Sequence, residues 1–169
     1  MSAPRLSDEL RAAPLLARGN VFEAFAPGQR FEHAMRRTLT AADNALFTTS
    51  MLAFDRLYTD REHARAAGHD DVLVNPLLVF CCVLGLSVED LSESSVAFLG
   101  VDDVRFLAPV HPGDTLAASS VVVEARPSAS RPDAGIVTWT TEGRTQTGAV
   151  AVSFRRANLV PKREREGRA

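Results

Sequence analysis

Cysteine is scarce in this 169-residue sequence: there are two, Cys81 and Cys82, and they are adjacent. Neighbours on a helix diverge by about 100°, which argues against a metal-ligand pair, and a lone vicinal disulfide would be unusual. The two read as small hydrophobes, buried in an apolar run in a reducing compartment. Aromatics are few, at 7%, with one tryptophan and one tyrosine, Tyr58. No stretch reaches the roughly 18 apolar residues of a membrane span. Met1–Leu16 has no signal-peptide core, so a cytoplasmic location is expected. Neither charge dominates: 19 Lys and Arg stand against 21 Asp and Glu, a formal net charge of −2. That balance calls for neither nucleic acid nor a membrane surface as partner, although a local basic patch could sit under a neutral total.

What is present suits one domain. The length allows a single substantial core, and 46% apolar residues is ordinary for a globular chain. Residues 1–20 read as an N-terminal arm, 21–160 as the domain, and 161–169 as a charged tail that frays. Gln29–Leu39 is expected as a strand. Thr40-Ala-Ala-Asp43 has capping-box spacing and opens a helix over Ala41–Met51, with Ala42, Leu46 and Thr49 on one side. Asn75-Pro76 then starts a second helix, since Asn caps well and Pro suits the first helical position. Its run Leu77–Leu86 is apolar all round, which predicts burial on every side. Val96–Leu107, Thr115–Ala125, Ile136–Glu142 and Ala149–Arg156 read as strands, with a hairpin through Arg144–Thr147. This order gives an α+β fold, with an antiparallel sheet wrapped around one buried central helix. The open sheet edge is expected to be covered in a dimer.

Several segments resemble one family in order. They are Phe25-Ala-Pro-Gly28-Gln-Arg-Phe31, Arg37-Thr38-Leu-Thr40-Ala-Ala-Asp43-Asn44, Gly85-Leu-Ser-Val-Glu-Asp-Leu91, Val104-Arg105-Phe106, Pro109-Val-His-Pro-Gly113-Asp114-Thr115 and Ser130-Arg131-Pro132-Asp133-Ala-Gly135-Ile136-Val137. Together they are similar to MaoC-like proteins with the hot-dog fold, and the last two to the itaconyl-CoA and mesaconyl-CoA hydratase-like subgroup. The likeness runs from about residue 22 to residue 160. It implies a hydratase or dehydratase that adds water to an enoyl thioester or removes it from a 3-hydroxyacyl thioester. The coenzyme A thioester is then substrate, and no other cofactor or metal is implied. The family signature places an acid, then a His five residues later, before the central helix, and a backbone N–H at the helix head. These handle water, the α-proton and the enolate oxygen. Here Ala53 falls at the acid position, Tyr58 at the histidine position, and Pro76, which has no N–H, at the family's usual glycine.

The candidate site is therefore non-standard. Tyr58 can donate a hydrogen bond or act as an acid, or can simply fill the space left by histidine. Asp55, one helical turn earlier, is either a displaced general base or a solvated loop carboxylate. Asn75 is an N-cap whose side chain also sits where a thioester carbonyl would lie. The N–H groups of Leu77 and Leu78 are orphans that could serve at the electropositive helix end. Arg126 and Arg131 could contact coenzyme A phosphates, or lie in a solvated loop with Arg131 paired to Asp133. His33, His63, His69 and His111 lack metal-ligand spacing and are expected at the surface, His69 being nearest in sequence to the site. Three functions follow: a hydratase or dehydratase using Tyr58, Asp55 and Asn75; a silent subunit partnering an active MaoC-like one; or an acyl-CoA binding module. The thioester carrier is coenzyme A or an acyl carrier protein, and the assembly a homodimer or such a heterodimer.

Overall fold

The structure is a computed structural model, and it describes residues 11–13 and 18–163. Most of the expected N-terminal arm and the last six residues of the tail lie outside the described residues. The elements are β1 (Arg30–Thr38), α1 (Ala41–Ser50), α2 (Arg56–Thr59), α3 (Arg61–Ala66), α4 (Pro76–Leu86) and α5 (Val88–Leu91). Four strands follow: β2 (Ala97–Phe106), β3 (Thr115–Pro127), β4 (Ala134–Arg144) and β5 (Val150–Pro161).

All five strands form one antiparallel sheet in the order β1-β3-β4-β5-β2. The three consecutive strands β3, β4 and β5 make the centre by hairpins, while β1 and β2 take the two edges. The sheet curves around α4, the hot-dog arrangement. Local signals fix the helices. Thr40 and Asp43 form a full capping box at the head of α1, and the Asn75 side chain caps α4 with Pro76 in the first turn.

α4 seats on the sheet through Val79 and Val83, both buried. Gly143 makes that approach possible, because a Cβ there would meet Val83 Cγ2 at 2.3 Å. Phe80 packs edge-on against Phe154, with ring centroids 5.0 Å apart. A second cluster gathers Phe25, Leu91, Val122, Val137, Trp139 and Val160 at the end of the sheet under α5.

The structure corrects three expectations. α4 is buried on the sheet side only: Leu77, Cys81 and Gly85, one per turn, are exposed. The sheet wraps one side of the helix, so its apolar sequence outruns what this chain covers. Cys81 is accordingly exposed and Cys82 half-buried, rather than both being core residues. They line an open groove of about 720 Å³ with Met35, Leu78 and Phe47. On α1 the buried residues are Asn44 and Thr48, and Leu46 faces solvent. The third concerns His33, which is not a surface residue: its side chain is fully buried on β1.

Candidate functional site

Asn44 organises the region before α4. Its amide nitrogen donates to the carbonyls of Tyr58 and Leu73, each at 3.0 Å. Its side-chain oxygen accepts the N–H of Asn75 at 2.8 Å. One buried side chain on α1 thus ties the Tyr58 turn, the approach segment and the head of α4 together. Buried amides are retained in this way when every polar atom has a partner. The chain leaves α1 through Leu52, which takes a left-handed φ of 55°, and Ala53 N–H donates back to the Thr48 carbonyl. Asp55 then caps α2, its carboxylate accepting the Leu57 N–H at 2.9 Å.

This framework brings Tyr58 to a cavity of about 300 Å³ at the head of α4. Its walls are Leu73, Val74, Pro76 and Val79 on one side, and Phe106, the segment 107–110 and Ala151 on the other. Tyr58 carries the only polar side chain in that lining. Burial, and secondarily the negative charge of Asp55, hold its phenol above the usual tyrosine range. At neutral pH it is therefore a protonated donor and not a base. Of these lining residues Phe106, the last of edge strand β2, and Leu107, just after it, are exposed.

The other candidates fall in different places. Asp55 is one turn from Tyr58 but exposed, with one carboxylate oxygen used as a cap. Asn75 is buried, its oxygen accepting from the Leu77 N–H at 3.0 Å and its amide donating to Thr48 at 3.4 Å. The N–H groups of Leu77 and Leu78 are not orphans: the first bonds the Asn75 side chain and the second the Asn75 carbonyl at 2.9 Å. Arg126 and Arg131 lie at the β3–β4 hairpin. Their end of the sheet pairs with Leu159 and Pro161, whereas the cavity adjoins Ala151 and Phe106. The two ends are about 30 Å apart at the usual strand rise. Arg131 forms a two-pronged ion pair with Asp133, at 3.0 and 2.8 Å.

Two arrangements had no sequence signal. His33 Nδ1 lies 2.6 Å from Asp90, and its Nε2 2.9 Å from the Ser120 hydroxyl, itself 2.7 Å from Thr141. The connectivity is that of a Ser-His-Asp triad, yet Ser120 is 1% exposed, so no substrate reaches its oxygen. The network fastens α5 to β1, β3 and β4. In the second, the rings of His69 and His111 stand 6.5 Å apart, tilted by 56°.

A sheet wrapped around one helix, with a cavity at that helix's head reached from the preceding turn, defines the MaoC-like class of hot-dog proteins. The comparisons agree. A family model described as mesaconyl-CoA hydratase matches residues 5–167. A mesaconyl-CoA hydratase of Haloarcula marismortui is 42% identical over 87% of this chain and 41% of its own length. A beta-methylmalyl-CoA dehydratase of Chloroflexus aurantiacus is 36% identical over 86% of this chain and 41% of its own. The solved structure of a MaoC domain protein from Chloroflexus aurantiacus superposes with a TM-score of 0.82 at 35% identity, covering 89% of this chain and 43% of that one. The chain belongs to the mesaconyl-CoA hydratase family. It spans about two fifths of the length of the curated relatives it matches.

Proposed function

We propose that this domain adds water to the double bond of an enoyl-CoA, or removes it from the 3-hydroxyacyl-CoA, at the cavity of Tyr58. The favoured acyl groups are those named for its relatives, mesaconyl and methylmalyl. The observation that carries the reading is a protonated phenol in the lining of an otherwise apolar cavity at the head of α4.

In hydration an O–H bond of water breaks as its oxygen bonds to the β-carbon, the π pair of the double bond moves toward the thioester oxygen as an enolate, and on its collapse the proton released from water ends on the α-carbon. Tyr58 donates its hydroxyl proton in a hydrogen bond to that oxygen as the enolate forms. In a cavity with an apolar lining such a donor counts for more than in bulk water. Asn44 holds the turn that presents it. Asn75 keeps the helix head formed, and the electropositive end of α4 adds to the stabilisation. Pro76 removes one backbone donor from this end, so the phenol takes a larger share of the work. Asp55 contributes through the cap that sets the turn and, after burial, through its charge, which raises the phenol's pKa further.

One cavity wall, Phe106, ends the edge strand β2, along which Phe98, Leu99 and Val104 are exposed as well. A second hot-dog domain, from another copy or from a MaoC-like partner, closes the site there. Relatives more than twice as long leave room for such a domain in one chain. Among the described residues no helix is long and apolar enough to cross a membrane, which suits work in the cytoplasm on a coenzyme A ester with no further cofactor. Arg126 and Arg131, at the far end of the sheet, lie too far from this cavity to grip the same coenzyme A, and enter the reading only through a thioester bound by a neighbouring domain.

The experiment is a spectrophotometric assay of the purified chain with mesaconyl-CoA and crotonyl-CoA. Loss or gain of enoyl absorbance is expected with at least one of them. A chain that turns over neither, alone or mixed with a MaoC-like partner, contradicts the reading.

A further inference from the structure

The segment 107–110 walls the cavity opposite Tyr58 and Pro76, and the chain turns immediately after it. The Asp114 N–H donates to the His111 carbonyl at 3.0 Å. Pro112 takes the second place of this turn and Gly113 the third, with a left-handed φ of 101°, as a type II turn requires. The turn's backbone is anchored to the core at Leu39, whose N–H donates to the Asp114 carbonyl at 2.9 Å and whose carbonyl accepts the Gly113 N–H at 2.7 Å. From that anchor the Asp114 carboxylate reaches two ways. One oxygen accepts the His111 N–H at 2.8 Å, and the other accepts the Gln146 side-chain amide at 2.6 Å. The Gln146 oxygen in turn accepts the Thr115 N–H at 2.8 Å. The turn is thereby bound to the hairpin that joins β4 to β5.

The wall itself is held at its ends. The Leu107 N–H donates to the Ala151 carbonyl at 2.9 Å, and the Val110 carbonyl accepts the Val74 N–H at 2.7 Å. Between them Pro109 has no N–H to offer. Val74 precedes Asn75, the cap of α4, so the far end of the wall bears directly on the head of that helix. The Asp114 carboxylate fixes the next residue along, His111.

We propose that Asp114 and Gln146 are positioning residues for the reaction at Tyr58: their paired side chains hold the wall 107–110 at the spacing from the phenol that a bound acyl group requires. The role rests on the hydratase reading and adds residues that touch neither the cavity nor the thioester. Gln146 is exposed and Asp114 half-buried. A hydrogen bond between such groups adds modestly to stability, so its consequence is geometric. Misplacing a reacting group by about 1 Å from a distance can cost on the order of 10² in rate.

The test exchanges donor and acceptor across the pair and reads kcat and KM of the full chain with mesaconyl-CoA and crotonyl-CoA. Asp114→Asn sets two amide donors against each other, and Gln146→Glu sets two carboxylates. Each is expected to lower kcat at least fivefold with KM changed less than threefold, since the thioester still enters but rests wrongly against the phenol. Asp114→Asn/Gln146→Glu restores one donor facing one acceptor, with the Thr115 N–H still accepted, and is expected to return kcat to within twofold of the wild type. If Asp114→Asn does not fold, Gln146→Ala, at an exposed site, takes its place beside Gln146→Glu. A purely structural role would lower the unfolding temperature of the single variants and leave kcat and KM of the folded protein unmoved. A smaller fall in kcat in both single variants overturns the positioning role and leaves the hydratase reading intact. So does a natively folded double variant that fails to recover. A wild type that turns over neither thioester overturns the hydratase reading and the positioning role with it.

Discussion

The side-chain oxygen of Asn44 accepts the backbone N–H of Asn75 at 2.8 Å, across 31 positions of sequence. With its amide on the Tyr58 and Leu73 carbonyls, this buried residue joins α1 to everything that shapes the cavity. Asn44→Ala removes three hydrogen bonds and leaves three backbone groups short of a partner. At about 1 kcal/mol or somewhat more for each, a loss of about 3–4 kcal/mol is expected in urea unfolding. Turnover at 25 °C should fall as well, because the Tyr58 turn loses its tether. A loss below about 1 kcal/mol would mean that the turn is held by other contacts.

Gly143→Ala is expected to destabilise the fold by about 1–3 kcal/mol, the usual range for overpacking. The new methyl would lie 2.3 Å from Val83 Cγ2 and 3.1 Å from Val152 Cγ1, so α4 must lift from the sheet. Adding Val83→Ala should recover much of the loss. Equal stability of Gly143→Ala and wild type in urea would contradict the packing.

Much of this architecture is legible in the sequence, and the exceptions have physical causes. Asn75-Pro76 fixes the start of α4, and Thr40 with Asp43 fixes that of α1, because capping is local chemistry. The late strands show in their Val-rich and β-branched composition and, for the last, in clean alternation. β5 nonetheless runs on to Pro161, past the expected end at Arg156, since Arg156 and Asn158 are polar residues at inward positions and interrupt the pattern. The open face of α4 is invisible for a related reason: an apolar helix declares that it is covered, not by which chain. Tyr58 is singled out by its match to the histidine position of the family signature, whereas its tether Asn44 and the rings of His69 and His111 meet their partners only through the tertiary fold.

Arg156 is a buried cation with little to hold it. It is 1% exposed, its Nε and Nη2 lack hydrogen-bond partners, and the Trp139 ring lies 5.4 Å from the guanidinium carbon. Burial pushes its pKa down from the usual arginine value to about 10. The unfolded chain therefore binds more protons above pH 10, so this group's contribution rises with pH from there toward the ordinary arginine range. Below pH 10 the penalty is complete, about 3 kcal/mol, offset by a cation–π contact of about 1–2 kcal/mol. Arg156→Met should thus raise stability at pH 7 by about 1–2 kcal/mol. A decrease of that size would show that the charge is compensated in the folded protein.

The phenol of Tyr58 is held above its ordinary value by burial and by Asp55. Its donor form is lost only as pH rises through that elevated value. The alkaline limb of kcat/KM that belongs to Tyr58 should therefore lie above pH 10, the ordinary tyrosine value. Asp55→Asn, which removes the charge, should move that limb toward lower pH. An unmoved limb would detach Asp55 from the site's electrostatics.

The account stands most directly on the oxygen of Tyr58. The measurement is turnover of mesaconyl-CoA by the wild type beside Tyr58→Phe, with thermal unfolding of both. Phenylalanine keeps the ring and its packing, so the unfolding temperatures should agree within a degree or two. Turnover should fall at least tenfold, about 1.4 kcal/mol of barrier. Equal turnover in the two proteins would contradict the account, and would leave Tyr58 as a space-filling residue in the position of a catalytic one.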